Sequence, residues 1–146
     1  MNKVKDSSIV TPLINKGVAY HGYGVHRRLG GIWSNKSGTW KQRKWHTSGQ
    51  SRYPRVTRTI ENKKSTHWHV HVAVHETLNP ELPIPPGVTV QEWRRTPKSV
   101  KKTMRHIWQV NHRDHNPMNF KPNNLEWVTQ RQNAEAYQKH RLKQVA

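Results

Sequence analysis

Residues 110–133 place six asparagines and two histidines in one short stretch, VNHRDHNPMNFKPNNLEWVTQRQN. Asparagine is a poor former of helices and strands, so local propensity does not explain its density here. Asn111 and His112 stand where a short predicted strand ends, and Asn133 lies in the first turns of a predicted helix. A strand pair packed on that helix would bring the three side chains together as a pocket of oxygen and nitrogen donors.

Three elements are predicted to carry this stretch. Residues 108–110 and 125–129 have the composition of short strands. Thr129, with Gln132 three residues later, forms a capping-box pattern that opens a last helix over roughly residues 130–141. The stretch is therefore a strand, a long loop rich in asparagine, a second strand and a capped helix.

Further elements are predicted upstream. Alternation over residues 52–60 and again over residues 66–71, with a turn at 61–64, is typical of a β-hairpin. A short helix should follow over residues 72–78, and then a loop rich in proline. Residues 96–107 are predicted to form a basic helix, with Thr96 as its cap and Pro97 at its first position.

The composition indicates a basic partner-binding protein with a thin core. Lys and Arg number 26 against 8 Asp and Glu in 146 residues, a net charge of +18, and only 32% of residues are hydrophobic. Such a charge favours a polyanionic partner, of which nucleic acid is the commonest. No apolar run reaches the roughly 18 residues that a membrane span requires, and no cysteine is present for disulfides or thiolate zinc sites. We expect a soluble cytoplasmic protein that does not bind membranes.

The positive charge is concentrated in the first part of the chain. Residues 7–60 contain ten Lys or Arg and no Asp or Glu. The same residues include Trp33, Trp40, Trp45 and Tyr53, which a solvated tail would not need. Gly22 to Thr39 favours loops and short strands. We interpret this region as a basic lobe that is folded or folds on binding.

The asparagine-rich stretch resembles the HNH endonucleases of the ββα-metal (His-Me finger) type, in particular phage-type homing or free-standing enzymes. Their pattern runs VNHxDxNxxNNxxxNLEWVTxxxN. His112 precedes Asn124 by twelve residues, and Asn124 precedes Asn133 by nine. The matched positions are Val110, Asn111, His112, Asp114, Asn116, Asn119, Asn124, Leu125, Glu126, Trp127, Val128, Thr129 and Asn133. Residues 70–78, VHVAVHETL, also resemble the family segment VHRLVAEAF, with His71 at the place of its histidine.

The resemblance implies an α+β fold, with a ββα-metal nuclease core and an N-terminal basic, β-rich DNA-binding lobe. The implied parts are a lobe over residues 1–80 that ends in a short helix, a basic loop and helix over 81–107, and the catalytic motif over 108–146. Residues 1–39 are not covered by the resemblance.

The resemblance also implies residue roles. His112 would be the general base that takes a proton from the attacking water, and a near-neutral pKa suits an imidazole to that role. Asn111 and Asn133 would hold a divalent cation, Mg²⁺ or alternatively Mn²⁺. Because two neutral amides are a weak ligand set, DNA phosphate would have to complete the site. Asn124 would tie the loop together, and Arg131 would steady the leaving group.

Several positions depart from the family pattern. His115 stands where glycine is common, and Phe120 replaces the second asparagine of a pair. Tyr137 stands where some relatives have a further histidine, which argues against a three-ligand zinc centre. Some relatives have an arginine just ahead of the second ligand, where this chain has Gln130, with Arg131 next to it.

The expected partner is double-stranded DNA, bound by a monomer or a DNA-dependent dimer in a phage-infected bacterial host. One active site is expected to nick one strand. Since about five residues follow the predicted last helix, recognition is expected from the basic lobe, the hairpin and the inserted helix. The expected DNA contacts are Arg43, Lys44, Arg52, Arg55, Arg58, Lys98, Lys101, Lys102, Arg105 and His115.

Three alternatives remain open from the residues. The chain could be a non-catalytic nucleic-acid-binding protein on an HNH scaffold, or a basic RNA-binding protein whose tryptophans stack on bases. His67, His69 and His71 on one predicted strand face could bind a transition metal. The face with Arg55, Thr57 and Thr59 could be a plain sheet surface or a ribbon laid in a DNA groove.

Overall fold

The computed structural model describes residues 2–59 and 65–145 of the chain. They form two units, one of Met1–Pro80 with His112–Glu126 and the other of Glu81–Asn111 with Trp127–Ala146. The asparagine-rich loop therefore belongs to the same unit as the N-terminal residues, although a long segment separates them in sequence. The predicted bounds of the three functional parts stay a prediction.

Five antiparallel strands form the larger sheet of the first unit. They are β1 (Lys3–Val4), β2 (Val10–Asn15), β3 (Val18–His26), β4 (Gly30–Ser34) and β5 (Trp40–Gln42), in the order β1-β5-β4-β3-β2. Lys16 and Gly17 join β2 to β3 with φ of 51° and 75°, the left-handed pair that suits a two-residue hairpin turn. The loops expected between Gly22 and Thr39 are shorter than predicted, because β3 runs on to His26 and β4 begins at Gly30.

A second sheet of the first unit contains the predicted hairpin. Its strands are β6 (His46–Ser48), β7 (Ser51–Thr59) and β8 (Ser65–His69), in the order β6-β7-β8. β7 and β8 are antiparallel, with Val56 opposite Trp68, and both of these side chains are buried. The hairpin prediction is confirmed for these strands. The turn predicted at residues 61–64 lies outside the described residues.

Helix α1 (Val70–Leu78) begins two residues before its predicted start. The assignment of Val70 and His71 to the preceding strand is therefore wrong. Val70, Ala73, Val74 and Thr77 are all buried, and they follow the spacing of a helix face. Strand alternation and helix spacing both place Val70 on an apolar face, so the alternation alone could not locate the boundary. The helix packs against β2, β3 and β4 and closes the core around Leu13, Ile32 and Trp33.

The second unit begins with two short helices where the sequence predicted one long helix. They are α2 (Val90–Arg95) and α3 (Lys98–Thr103), and a 3-10 turn follows at Met104–Ile107. The prediction that Thr96 caps the second helix is wrong: its hydroxyl donates to the Glu92 carbonyl oxygen at 2.8 Å and so ends α2. Helix α2 starts at a capping box between Thr89 and Glu92 that the sequence analysis missed.

The last three elements agree closely with the prediction. β9 (Trp108–His112) and β10 (Leu125–Thr129) form a two-stranded sheet, and α4 (Gln130–Val145) follows. At its start, the Thr129 N–H donates to Gln132 Oε1 at 2.9 Å, and the Gln132 N–H donates to Thr129 Oγ1 at 3.2 Å. The predicted capping box is therefore confirmed, and the helix extends four residues beyond the predicted end.

Over residues 2–59 and 65–145, none of the helices combines the length and the apolar character that a bilayer crossing needs.

Gly30 provides a test of how the loop is seated in the first unit. Its φ is +69°, and a Cβ added there would collide with the carbonyl oxygen of Phe120. Gly38 has a similar φ of +74° but open space around it. We expect Gly38→Ala to cost about 1 kcal/mol through backbone strain, and Gly30→Ala about 3 kcal/mol because overpacking adds to it. Urea denaturation measures both, and equal losses would contradict the contact with Phe120.

Candidate active site

His112 ends β9 as a buried side chain, with 4% of its surface exposed. Its ring lies 4.9 Å from that of His71, measured between centroids, and 5.8 Å from that of Tyr53, which stacks on it at 24°. His71 comes from the first turn of α1 and Tyr53 from β7. Rings from two elements of the first unit, α1 and β7, therefore fix the orientation of this imidazole.

Burial favours the neutral form of both histidines of the pair. Burial lowers the pKa of His112, and the charge of Arg52 adds to this effect while Asp114 opposes it. Burial also lowers the pKa of His71 to about 3, with smaller contributions from His112 and His69. His112 Nε2 and His71 Nδ1 are enclosed and form no hydrogen bond within the described part of the chain. A neutral imidazole of this kind can accept a proton.

Asn124 holds the loop that follows His112. Its Oδ1 accepts from the Asp114 N–H at 3.2 Å, and its Nδ2 donates to Asp114 Oδ1 at 2.9 Å and to the Asn119 carbonyl at 2.8 Å. The Arg113 N–H donates to the Asn124 carbonyl at 2.8 Å. These bonds join both ends of the loop through one buried side chain.

Asp114 is the second hub of the loop. Its carboxylate accepts from the Asn116 N–H at 2.9 Å and from Asn119 Nδ2 at 2.7 Å, in addition to Asn124. Burial alone would raise the pKa of Asp114, but these hydrogen bonds and the nearby His112 outweigh it and lower the pKa. Amide side chains are thus concentrated here partly because they brace the loop.

Two departures from the family pattern have structural explanations. His115 has a φ of 59°, a left-handed conformation that explains why glycine is common at this position. Phe120 contacts Trp45 edge to face, with ring centroids 6.1 Å apart. An apolar residue in place of the second asparagine therefore seats the loop on the N-terminal part of the first unit.

Asn111 and Asn133, the predicted metal ligands, both belong to the second unit. Asn133 Nδ2 donates to Gln109 Oε1 at 3.0 Å. Gln109 and Asn111 lie two residues apart on β9 and share a strand face, so Asn133 of α4 is placed on the side of β9 that carries Asn111. Amide oxygens are hard, uncharged donors that suit Mg²⁺ better than softer metals. This donor set fits a weakly held divalent cation.

The predicted face of three histidines is not formed. His71 belongs to α1, and only His67 and His69 remain on β8. Thr57 Oγ1 instead lies 3.1 Å from His67 Nδ1 and 3.3 Å from His46 Nε2. Among the residues that the structure describes, no group of three His, Asp or Glu could hold a metal ion.

The predicted DNA-contacting residues differ in exposure. Four of them lie over aromatic rings, with Arg52 over Tyr53, Arg58 over Tyr20, Tyr23 and Trp68, Lys101 over Trp93, and Arg105 over Trp127. Arg43 and Arg55 are half-buried, and the side chain of Arg131 is 90% exposed and paired with Glu135 at 3.1 Å. His115 is also half-buried, and the exposed members are Lys44, Arg52, Lys98 and Lys102.

Sequence reasoning missed the contacts of His112 with Tyr53 and His71. His71 was assigned to packing and Tyr53 to a strand face, and neither was connected with His112. No local pattern relates positions 53, 71 and 112, because only the folded strands and helix bring them together. The resemblance of residues 70–78 to the family segment was the one signal that pointed to His71.

Comparison with known proteins gives two similarities. Residues 68–135 match the family model of an HNH endonuclease. The chain is also similar to the solved structure "DNA binding and cleavage by the HNH homing endonuclease I-HmuI", with a TM-score of 0.53 and 21% identity over 92% of this chain. The match spans 65% of that protein. No curated protein matches the chain. The predicted HNH resemblance and α+β fold class are confirmed.

The buried histidines predict that stability falls in acid. Burial lowers the pKa of His71 to about 3 and that of His75 to about 4, in the latter case with help from Arg113 and against Glu126. Both values lie below the ordinary 6.5 or so, so stability is complete above about pH 6.5 and is lost as the pH falls towards 4. At about pH 4.5 we expect the protonation of each of these two histidines to lower the free energy of unfolding by about 2 to 3 kcal/mol.

Urea denaturation from about pH 7.5 to about pH 4.5 measures this loss. His71→Phe keeps a ring beside Tyr53 and removes one side chain that can take up a proton. The free energy of unfolding of this variant should therefore fall less steeply as the pH is lowered. His21→Phe, at an exposed position, is the matched control and should follow the unmodified chain. Equal slopes for all three proteins would contradict the burial argument.

Asn124→Ala should loosen the loop. The change removes the bonds to Asp114 and Asn119 and leaves the carbonyl of half-buried Asn119 without this partner, which we expect to cost about 2 to 4 kcal/mol. Amide hydrogen exchange should then quicken at Asp114, whose N–H loses its acceptor. Asn123→Ala alters the exposed neighbouring amide and serves as the control. Slow exchange at Asp114 in Asn124→Ala would show that another contact holds the loop.

Proposed function

We propose, on the premise of the HNH endonuclease domain at residues 68–135, that this chain is a metal-dependent DNA endonuclease that hydrolyses phosphodiester bonds. The observation that carries the proposal is the buried, neutral His112 at the end of β9, ahead of a loop braced by Asn124. A nuclease needs a fixed proton acceptor beside the phosphate, and this imidazole is fixed by the rings of His71 and Tyr53.

In the proposed reaction His112 takes a proton from water as that water attacks phosphorus. Its lowered pKa keeps the acceptor form abundant at neutral pH. Tyr53 and His71 hold the ring in place, and Asn124 fixes the backbone just after it. These groups hold the proton acceptor in one orientation before the reaction, and such prior orientation raises the rate.

Asn111 and Asn133 would hold a divalent cation, Mg²⁺ or alternatively Mn²⁺. A cation bound there would place positive charge at the scissile phosphate and its leaving oxygen. Arg131 is proposed to steady the leaving oxygen, for which it would exchange its partner Glu135 for the phosphate.

Double-stranded DNA is the proposed substrate. The net charge of +18 suits a polyanion, and the similar solved structure concerns DNA binding and cleavage by the homing endonuclease it contains. One active site would nick one strand, so a monomer would nick and a DNA-dependent dimer would break both strands. A phage-type enzyme acting in the cytoplasm of a bacterial host is the proposed setting.

Two other functions are weighed against this one. A DNA-binding protein on an HNH scaffold and an RNA-binding protein would both bind nucleic acid without cutting it. The match to an HNH endonuclease and the fixed ring of His112 favour the nuclease, since binding alone needs no oriented proton acceptor.

A plasmid-nicking assay with Mg²⁺ or Mn²⁺ tests the proposal. The unmodified chain should nick, and chelation of the metal should stop it. His112→Ala should lower the rate at least about 100-fold because the proton acceptor is lost, while DNA affinity changes little. His21→Ala removes an exposed histidine and should nick normally. Binding without any cleavage by the unmodified chain would favour the two alternatives, and full activity of His112→Ala would refute the base assignment.

A further inference from the structure

The turn between β6 and β7 borders an open cavity at the surface. Its volume is about 440 Å³, and it is lined by the consecutive residues 47–53. The lining consists of three hydroxyl groups, one amide side chain, a glycine, a guanidinium and a tyrosine ring.

The polar groups of the cavity are mainly donors. Ser48 Oγ accepts from the Ser51 N–H at 3.1 Å, and Ser51 Oγ accepts from the Tyr53 N–H at 3.4 Å. A hydroxyl that accepts a hydrogen bond keeps its own O–H to donate. Arg52 adds a guanidinium, whose planar N–H groups match the oxygens of a phosphate. The lining has no carboxylate, and residues 7–60 contain no Asp or Glu.

One residue of the cavity lining contacts His112. Tyr53, the last residue of its lining, stacks on the His112 ring. The charge of Arg52 contributes, after burial, to the lowered pKa of His112. A ligand that contacts Tyr53 would therefore share a neighbour with His112, the group proposed to act on the scissile bond.

We infer that the cavity between Thr47 and Tyr53 is a subsite for a DNA backbone phosphate next to the one that is cleaved. The inference rests on the proposed function, because it takes His112 to mark the scissile phosphate. Arg52 binds the phosphate oxygens, and the hydroxyls of Ser48 and Ser51 donate to them. The subsite would set which phosphate of the strand reaches His112.

A nucleobase and a metal cation fit the cavity less well. Tyr53 is the only ring in the lining, and it already contacts His71, His112 and Arg52. A cation would meet a guanidinium and no carboxylate. An oxyanion matches both the charge and the donors.

A titration with inorganic phosphate, followed by NMR of the ¹⁵N-labelled chain without metal, tests the subsite independently of cleavage. Relative to chloride at equal ionic strength, saturable shifts should concentrate at the amides of residues 47–53. Arg52→Gln should weaken the fitted affinity about tenfold. Lys5→Gln makes the same charge change at an exposed residue outside the cavity and should leave it unaltered. Shifts spread evenly over the basic surface, or an unchanged affinity in Arg52→Gln, would overturn the inference.

Nicking kinetics test the link to the substrate. Arg52→Gln should raise KM about tenfold with kcat within about twofold, whereas Lys5→Gln should change neither. A double variant, Ser48→Ala with Ser51→Ala, should also raise KM. A fall in kcat alone in Arg52→Gln would count against a binding subsite. If the unmodified chain binds phosphate at residues 47–53 and does not nick, the proposed function fails and anion binding by the cavity stands.

Discussion

The hydrogen bonds of the Asn124 side chain are the constraint on which the candidate site depends. A loop of eleven residues between His112 and Asn124 would lose considerable conformational entropy on being fixed. One buried amide offsets this cost by joining Asp114 near the start of the loop to Asn119 in its middle. An amide is suited to this position because it both donates and accepts, which neither a carboxylate nor an alkyl group does.

Burial of neutral histidines is the second physical theme of the first unit. In a chain with a net charge of +18, each further positive charge adds to self-repulsion. His71, His75 and His112 avoid this by being buried, which lowers the pKa of each. The arrangement that makes His112 a proton acceptor is thus the same one that keeps the positive charge of these histidines out of the core. The cost of this arrangement is a fold that is sensitive to acid.

Local patterns predicted the elements of the site well and its tertiary contacts poorly. The capping box at Thr129 and the strand over residues 125–129 depend only on residues that are close together in sequence. Their predicted positions therefore match the observed ones at every residue. The start of α1 was misplaced because Val70 satisfies the strand and helix patterns alike. The stacking of Tyr53 on His112 has no local signature, since it depends on how β7 and β9 are placed by the whole fold.

The N-terminal sheet, which the family resemblance did not cover, takes part in positioning the loop. Gly30 follows the turn after β3, and the carbonyl of Phe120 approaches it so closely that no side chain fits there. Trp45, just after β5, contacts the ring of Phe120. Both contacts fix the middle of the loop, while Asn124 fixes its ends. A loop held at three points can present its first residues in one conformation. Gly30 and Trp45 therefore act on the candidate site by packing against the loop, independently of any contact with DNA.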